Sequence, residues 1–278
     1  MNKSQNSTGD PAFTEELITS LLTSRKYRAL DLPRETLQDL VEKAAEMTHN
    51  PRELNHIVRQ KLHQLVAPYL GDPDYLACQH DLDIAYQTGD TEQIKAACRK
   101  ILAAHASTRE RLPILPHFFE RLFAHTGQPH VILDLACGLN PFALPWMGLA
   151  SDTLYYAYDL HQPRLDAINH LFGLNGMQPL AIHQDILVSP PTIKADVAFF
   201  FKEAHRFEQR RRGCNREFLQ QIHARHLLVS LPTQNLTGTH LKTDQHRRLV
   251  MESIAGLPWQ IQEIEFENEI VFCIEKDV

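Results

Sequence analysis

The stretch VILDLACGLNP at residues 131–141 decides how this chain is interpreted, because an apolar run ends there in an acid and a Cys-Gly pair. The apolar residues before Asp134 are typical of a buried strand. Gly138 follows shortly afterwards, and a glycine lets the backbone turn and approach a ligand closely. The stretch therefore predicts a strand whose carboxyl end opens into a ligand-binding turn.

Short apolar runs alternate with helical stretches on both sides of that turn, from about residue 112 onward. The candidate strands are residues 131–136, 154–160, 180–183, 196–201 and 226–232. Helical patterns follow the second strand and precede the fifth, which predicts a mostly parallel sheet covered on both faces. At the C-terminus, two alternating runs are joined by an acidic link at residues 267–269, which predicts an antiparallel hairpin at the edge of the sheet.

The first part of the chain has a different pattern, with apolar residues at three- and four-residue spacing and no β-branched alternation. Asn50 before Pro51 is a typical helix start, and residues 71–74 and 88–90 have the composition of turns. We therefore predict two domains, a helical one over residues 1–112 and an α/β domain over residues 113–278.

Composition narrows the class of protein. The chain has 278 residues, 43% of them hydrophobic, and no apolar run approaches the ~20 residues that cross a bilayer. The N-terminus is polar and lacks the apolar centre of a signal peptide, so we expect a cytoplasmic protein. The five cysteines form no C-x-x-C pair, and His161 and His183 have no partner at ligand spacing, so we expect no metal.

Charge leaves nucleic-acid binding open. The formal net charge is −6, but a nucleic-acid binder needs only a basic face. Two clusters could supply such a face: Arg206, Arg210, Arg211, Arg212 and Arg216, and, near the start, Arg25, Lys26 and Arg28. Charge alone favours the simpler interpretation that both clusters are solvated helix surfaces.

Acids lie at the ends of the first three candidate strands, where open α/β sheets bind ligands. Asp134 could accept hydrogen bonds from a ligand amine or from loop amides. Asp159 could accept both hydroxyls of a ribose, and Asp185 could meet the exocyclic amine of an adenine. Turn-forming and capping roles would explain the same acids without a ligand.

Two nucleoside cofactors compete for such a site. A nicotinamide dinucleotide needs its pyrophosphate cradled by G-x-G-x-x-G, whereas GLNPFA at residues 138–143 has one glycine and a proline. S-Adenosylmethionine has no phosphate, and an acid-lined turn suits its ammonium and sulfonium groups. The residues therefore favour S-adenosylmethionine.

Several stretches resemble the bacterial 16S rRNA guanine-N7 methyltransferases, which confer aminoglycoside resistance by modifying the ribosomal decoding site. The similar stretches are SRKYRAL (24–30), RQKLHQLVAPYL (59–70), HASTRER (105–111), ILDLACGLNPFALP (132–145), YDLHQ (158–162), QDIL (184–187), FFK (200–202) and VSLPT (229–233). The resemblance implies a Rossmann-like class I S-adenosylmethionine-dependent methyltransferase whose helical N-terminal domain docks on the ribosome. It also implies 16S rRNA in the 30S subunit as partner and S-adenosylhomocysteine as product.

Site residues follow from the resemblance by position. It implies that the cofactor is bound by Arg109, Asp134, Ala136, Gly138, Asp159, Leu160, Asp185 and Ile186. Arg109 would pair with the methionine carboxylate, although a structural role bridging two subdomains fits the sequence equally well. Lys202 is the implied catalytic residue, facing the target base or a phosphate. The implied substrate-binding residues are Arg25, Lys26, Arg28, Ser230 and Pro232.

The region around the target base departs from the family pattern. FKEAHRFEQRRRG replaces F-K-x-L-P after the fourth strand, Leu231 replaces a phenylalanine, Thr239 replaces an arginine, and a G-M pair is missing; Leu236 and Gly238 still match. An extruded base usually stacks on an aromatic or flat cationic face. Two other functions therefore stay open: a small-molecule methyltransferase on the same scaffold, and an inactive S-adenosylmethionine-binding relative that interacts with the ribosome.

Overall fold

One seven-stranded sheet forms the centre of the protein in the computed structural model, which describes residues 11–233 and 241–276. The strands are β1 Val131–Leu135, β2 Leu154–Asp159, β3 Ala181–His183, β4 Ala195–Phe201, β5 Ala224–Pro232, β6 Gln260–Glu265 and β7 Glu269–Glu275. Their order is β3-β2-β1-β4-β5-β7-β6. The first five strands are parallel, and β7 runs antiparallel to β5 and β6. The parallel sheet and the C-terminal hairpin are thus confirmed.

Eleven α-helices are present in the described ranges, besides three short 3₁₀ helices. They are α1 Pro11–Leu22, α2 Arg34–Ala45, α3 Pro51–Val66, α4 Tyr75–Thr88, α5 Thr91–Leu102, α6 Ala106–Arg111, α7 Leu115–Thr126, α8 Gln162–Leu174, α9 Ala204–Arg210, α10 Cys214–Gln221 and α11 Leu241–Ile254. The expected start at Asn50 is seen in detail, because its side chain accepts hydrogen bonds from the amides of Arg52 and Glu53. The carboxylate of Asp74 caps α4 in a similar way.

The two faces of the sheet have separate apolar cores. One core joins alternate residues of the strands, such as Ile132, to α4, α5, α7 and α8. The other joins the intervening residues, such as Leu133, to α9, α10 and α11. Because both faces are covered, the central strands are apolar on both sides, which explains their nearly continuous hydrophobic sequences.

The first three helices have an apolar core of their own. Leu54, Val58 and Leu62 recur every four residues along α3 and are fully buried against α1 and α2. The next helices, α4 and α5, instead belong to the core of the sheet. The division between apolar cores therefore falls after α3, well before the change of sequence pattern at about residue 112. No helix in the described residues is long and apolar enough to cross a membrane.

Candidate active site

The turn after β1 has a left-handed backbone at two positions. Ala136 has φ 54° and Gly138 has φ 55°, a region that costs energy for residues with a Cβ. A Cβ at residue 138 would meet nothing nearer than the Arg164 guanidinium at 3.9 Å. Glycine therefore suits this position for its backbone angle, because the protein itself leaves room for a Cβ there. The turn aims the Gly138 amide at Asp159 Oδ2, 3.0 Å away.

A cavity of about 580 Å³ opens at the carboxyl ends of the parallel strands, within the range of roughly 300–1,000 Å³ typical of small-molecule sites. Six of the residues expected to bind the cofactor line it, namely Ala136, Gly138, Asp159, Leu160, Asp185 and Ile186. The N-terminal helices provide another wall, which includes Leu40, Lys61 and Leu65. Leu160 also packs against the apolar core of α1–α3. The cavity is thus built by both parts of the chain.

Asp159, at the end of β2, is buried and already well supplied with hydrogen-bond donors. Its Oδ1 accepts from the amides of Leu160 at 2.7 Å and His161 at 3.1 Å. Its Oδ2 accepts from Gly138 and, at 2.8 Å, from Arg164. A carboxylate accepts about four hydrogen bonds. A ribose hydroxyl would therefore have to share or displace one of these donors.

Arg164 connects Asp159 to the segment between α3 and α4. Its Nη2 lies 2.8 Å from both carboxylate oxygens of Asp72, and its guanidinium lies 4.8 Å from the centre of the Tyr69 ring. Burial opposes ionisation of Asp72, but the hydrogen bond with His161 and the charge of Arg164 outweigh it and lower the pKa of Asp72. This network holds the Tyr69–Asp72 segment against the cavity.

Asp185, two residues beyond β3, makes a second connection to the N-terminal helices. Its Oδ2 lies 2.7 Å from Nη2 of Arg210, and the same nitrogen lies 3.1 Å from Asp39 of α2. Helix α9 thus passes along the cavity with Arg210 at its end. An adenine amine meeting Asp185 would lie beside this ion pair.

Asp134 lies behind the turn and does not line the cavity. Its Oδ2 accepts hydrogen bonds from Asn140 at 2.8 Å and from the Tyr155 hydroxyl at 2.7 Å. Burial raises the pKa of Asp134 to about 7, although both hydrogen bonds oppose the shift. In this structure Asp134 supports the turn through Asn140, which itself lines the cavity.

The arginine that reaches the cavity from the HASTRER stretch is Arg111. Its guanidinium is buried between Phe118 and Phe201, at 4.4 and 4.5 Å from the ring centres, and it pairs with the fully buried Glu269. Arg109 lies on the exposed side of α6, where its Nη1 is 3.4 Å from the Ala103 carbonyl. The structure thus brings Arg111 to the site and leaves Arg109 outside it.

Lys202 follows β4 with φ 59°, and it is not among the residues that line the cavity. It donates to the Ser107 carbonyl at 3.0 Å and to Glu110 at 2.9 Å, and it lies 3.5 Å from Glu269. Burial raises the pKa of Glu269, but the charges of Arg111 and Lys202 outweigh it, so this pKa is lowered. Lys202 thus holds α6 and Glu269, the residues that position Arg111.

The residues expected to bind RNA are dispersed. Arg25, Lys26 and Arg28 are exposed after α1. Ser230 is buried in β5, and Pro232 ends that strand, where its carbonyl accepts from His246. The positions compared at Leu236, Gly238 and Thr239 lie outside the described residues. Of the histidines considered as metal ligands, His161 pairs with Asp72 and His183 with the Leu160 carbonyl.

The polar side chains in the cavity fit S-adenosylmethionine. Asp159 and Asp185 offer acceptors for hydroxyl and amine groups, and Arg111 offers a buried cation for a carboxylate. Apolar side chains, including Ile186 and Phe207, line the walls between them. The β1 turn aims the Gly138 amide at a carboxylate, so it forms no cradle for a pyrophosphate.

Comparison with known proteins decides the family. The sequence model of the family described as ribosomal RNA methyltransferase (FmrO) matches residues 23–273. The chain belongs to this family. The match includes α2 to α11, strands β1 to β6 and most of β7, so the cavity and both of its walls lie within the shared part of the methyltransferase.

Relatives and solved structures agree with this family. The 16S rRNA (guanine(1405)-N(7))-methyltransferase of Micromonospora echinospora is 33% identical over 221 residues, 78% of this chain and 81% of the relative. The relative of the same name from Micromonospora rosea is 30% identical over 275 residues, 97% of this chain and 99% of its own. The expectation of an rRNA methyltransferase is thereby confirmed.

The solved structures support the fold in the same way. The 16S rRNA methylase RmtB is similar with a TM-score of 0.75 and 26% identity, covering 95% of this chain and 98% of RmtB. RmtF, solved in complex with S-adenosyl-L-homocysteine, has a TM-score of 0.76 and 25% identity, covering 96% of this chain and all of RmtF. The predicted class I methyltransferase fold with its helical N-terminal part is thus confirmed.

Proposed function

We propose that the protein transfers a methyl group from S-adenosylmethionine to N7 of a guanine in 16S rRNA, within the 30S subunit. One observation carries the proposal: the strand-end acids and a buried arginine share a cavity with a wall made by the N-terminal helices. A site built in this way orders a nucleoside cofactor beside a surface large enough to meet a ribosome. The guanine named in the relatives is the proposed target.

The chain's residues act by positioning. Asp159 and Asp185 orient the ribose and adenine, and Arg111, held by Glu269, Lys202 and two phenylalanines, pairs with the methionine carboxylate. S-Adenosylmethionine held by these residues would supply an electrophilic methyl group to the N7 lone pair, with S-adenosylhomocysteine as the second product. No proton is removed, so no general base is required. Alignment of this kind can contribute on the order of 7–11 kcal/mol.

The N-terminal part, predicted as residues 1–112, provides ribosome docking in this proposal. Arg25, Lys26 and Arg28 are exposed on it and contact rRNA phosphates, while Lys61 faces the cavity. A protein with this substrate works in the cytoplasm, where ribosomes are.

The decisive experiment incubates purified protein with 30S subunits and S-adenosylmethionine and measures 7-methylguanine by mass spectrometry of the digested rRNA. We expect one methyl group per subunit, and a large loss of transfer in Asp159→Ala. Expression in an aminoglycoside-sensitive bacterium should then raise resistance with the wild-type protein and not with this variant. Binding of S-adenosylmethionine without any 7-methylguanine would refute the proposal and indicate a protein without this activity.

A further inference from the structure

Two charged residues at the start of α9 lie in the cavity beyond the acids assigned to the cofactor. Glu203 and Arg206 both line the cavity, and Glu203 Oε1 lies 3.1 Å from Nη1 of Arg206. The side chains of Glu203 and Arg206 are 21% and 31% exposed to solvent, so they can exchange this ion pair for contacts with an incoming group. They belong to the stretch that departs from the family pattern.

Their place in the fold separates them from the cofactor residues. Asp159 and Asp185 follow β2 and β3, on one side of β1, whereas Glu203 and Arg206 follow β4, on its other side. Burial and the nearby charge of Asp159 raise the pKa of Glu203, although Arg206 opposes the shift. Glu203 is thus a partly exposed acid of the cavity whose charge interacts with that of Asp159.

The hydrogen-bond donor and acceptor of this pair are complementary to the acceptor and donors on the Watson–Crick edge of guanine. Guanine presents the O6 acceptor next to the N1–H and N2–H₂ donors, and it leaves N7 on a different edge. A guanidinium beside a carboxylate offers a donor next to an acceptor, whereas adenine presents the opposite arrangement. Extruded bases are commonly recognised by their Watson–Crick edge, so such a pair can hold guanine while N7 faces the methyl group.

We propose that Glu203 and Arg206 form the specificity-determining pair for the target guanine, with Glu203 accepting from N1–H and N2–H₂ and Arg206 donating to O6. This inference rests on the proposed function. It assigns base recognition to α9 in a chain whose β5 loop departs from the family pattern. Docking would still provide most of the affinity for the subunit, so the pair acts on the rate and the base preference.

The test measures single-turnover methyl transfer to two kinds of 30S subunit, one with guanine and one with adenine at the methylated position. Glu203→Gln should slow transfer to guanine and narrow the guanine-to-adenine rate ratio by roughly tenfold or more, because the amide can also pair with adenine. Arg206→Met should narrow the ratio in the same direction. Glu217→Gln, an exposed acid on α10, is the matched control and should keep the wild-type ratio.

Two further measurements separate the possible failures. The affinity for S-adenosylmethionine, by calorimetry, and the midpoint of urea unfolding should be close to wild type in both variants. The inference would be overturned if the variants lost transfer rate equally on guanine and adenine, or if they lost cofactor affinity with an unchanged guanine-to-adenine rate ratio. In either case, methyl transfer by the wild-type protein would still support the proposed function. Absence of transfer by the wild-type protein would instead remove the proposed function, and this inference with it.

Discussion

Arg111 is a single buried arginine that connects several residues of this site. It is held by Glu269 and Asn140 and lies between two phenylalanine rings. Removing one partner of a buried ion pair costs several kcal/mol because the remaining charge stays buried. Lys202 stays near Glu269 at 3.5 Å, which compensates in part.

We expect Arg111→Met to lower the free energy of unfolding by about 3 kcal/mol and to weaken binding of S-adenosylmethionine. Arg109→Met is the matched control, two residues away on the exposed side of the same helix, and should change stability by less than about 0.5 kcal/mol. Urea denaturation and calorimetry of both variants measure these effects. Similar losses in the two variants would show that Arg111 has no special role.

Asp134 should make stability depend on pH. The unfolded chain loses this proton at a pKa near 3.9, whereas the folded protein holds it to about 7. Because the folded state binds the proton more tightly, the contribution of Asp134 to the free energy of unfolding should fall as pH rises from about 4 to about 7. The total effect is on the order of a few kcal/mol.

Asp134→Asn keeps an acceptor for Asn140 and Tyr155 without a titrating group, so its stability relative to wild type should rise between pH 5 and pH 8. Urea denaturation of the cofactor-free proteins at both pH values measures this difference. Asp152→Asn, at an exposed turn residue, should show no such trend. A difference between Asp134→Asn and wild type that is constant with pH would contradict the expected titration.

Some site residues could be predicted from their position after a strand, whereas others enter the site only through tertiary packing. Asp159 and Asp185 could be predicted because acids at the carboxyl ends of parallel strands meet at one edge of a sheet. Glu269 looked like a link residue, and its role depends on a salt bridge to Arg111 that tertiary packing alone creates. HASTRER contained the useful signal, but the side of α6 that faces the cavity is set by packing against β4 and α7.

Among the elements, α9 connects the cofactor edge of the sheet to the N-terminal helices. Arg210 shares its guanidinium between Asp185 and Asp39 of α2. We expect Arg210→Met to destabilise the protein by about 2–4 kcal/mol, since it leaves two poorly exposed carboxylates without their shared partner. Arg212→Met, at an exposed neighbour, is the control and should leave the urea midpoint unchanged.

A second measurement shows whether the bridge also secures α2. Limited proteolysis should cleave the N-terminal helices of the Arg210→Met protein faster than those of the wild type. Added S-adenosylmethionine should reduce that difference by stabilising the Asp185 side of the cavity. Equal cleavage of both proteins would mean that α2 is held by its apolar contacts alone.

The elements themselves were largely predictable because burial on both faces gives a parallel strand a recognisable apolar run. Each strand prediction lies within about two residues of the observed limits. The division of the cores was not predictable in this way. Helix α5 has the same kind of apolar periodicity as α2 and α3. Such a periodicity shows that a helix has an apolar face, but it does not show which core that face joins.

At the scale of the whole molecule, the net charge is −6, and yet the proposed substrate is a polyanion. Binding would then depend on local positive surfaces, and each phosphate contact releases condensed counterions. Arg25 and Arg28 are both exposed in the segment that follows α1, in the N-terminal part of the chain that walls the cavity. Lys194 and Arg225 are exposed at the opposite ends of the parallel strands. Lys194 directly precedes β4, and Arg225 is the second residue of β5.

This arrangement predicts an asymmetric response to salt. The double variant Arg25→Ala/Arg28→Ala should bind 30S subunits more weakly, and its plot of log affinity against log salt should be shallower by roughly 0.7–0.9 for each lost phosphate contact. The double variant Lys194→Ala/Arg225→Ala removes the same charge and should keep the wild-type slope. Filter binding of labelled subunits over a salt series provides the slopes. Equal changes in the two double variants would indicate that net charge, and not a docking surface on the N-terminal helices, controls binding.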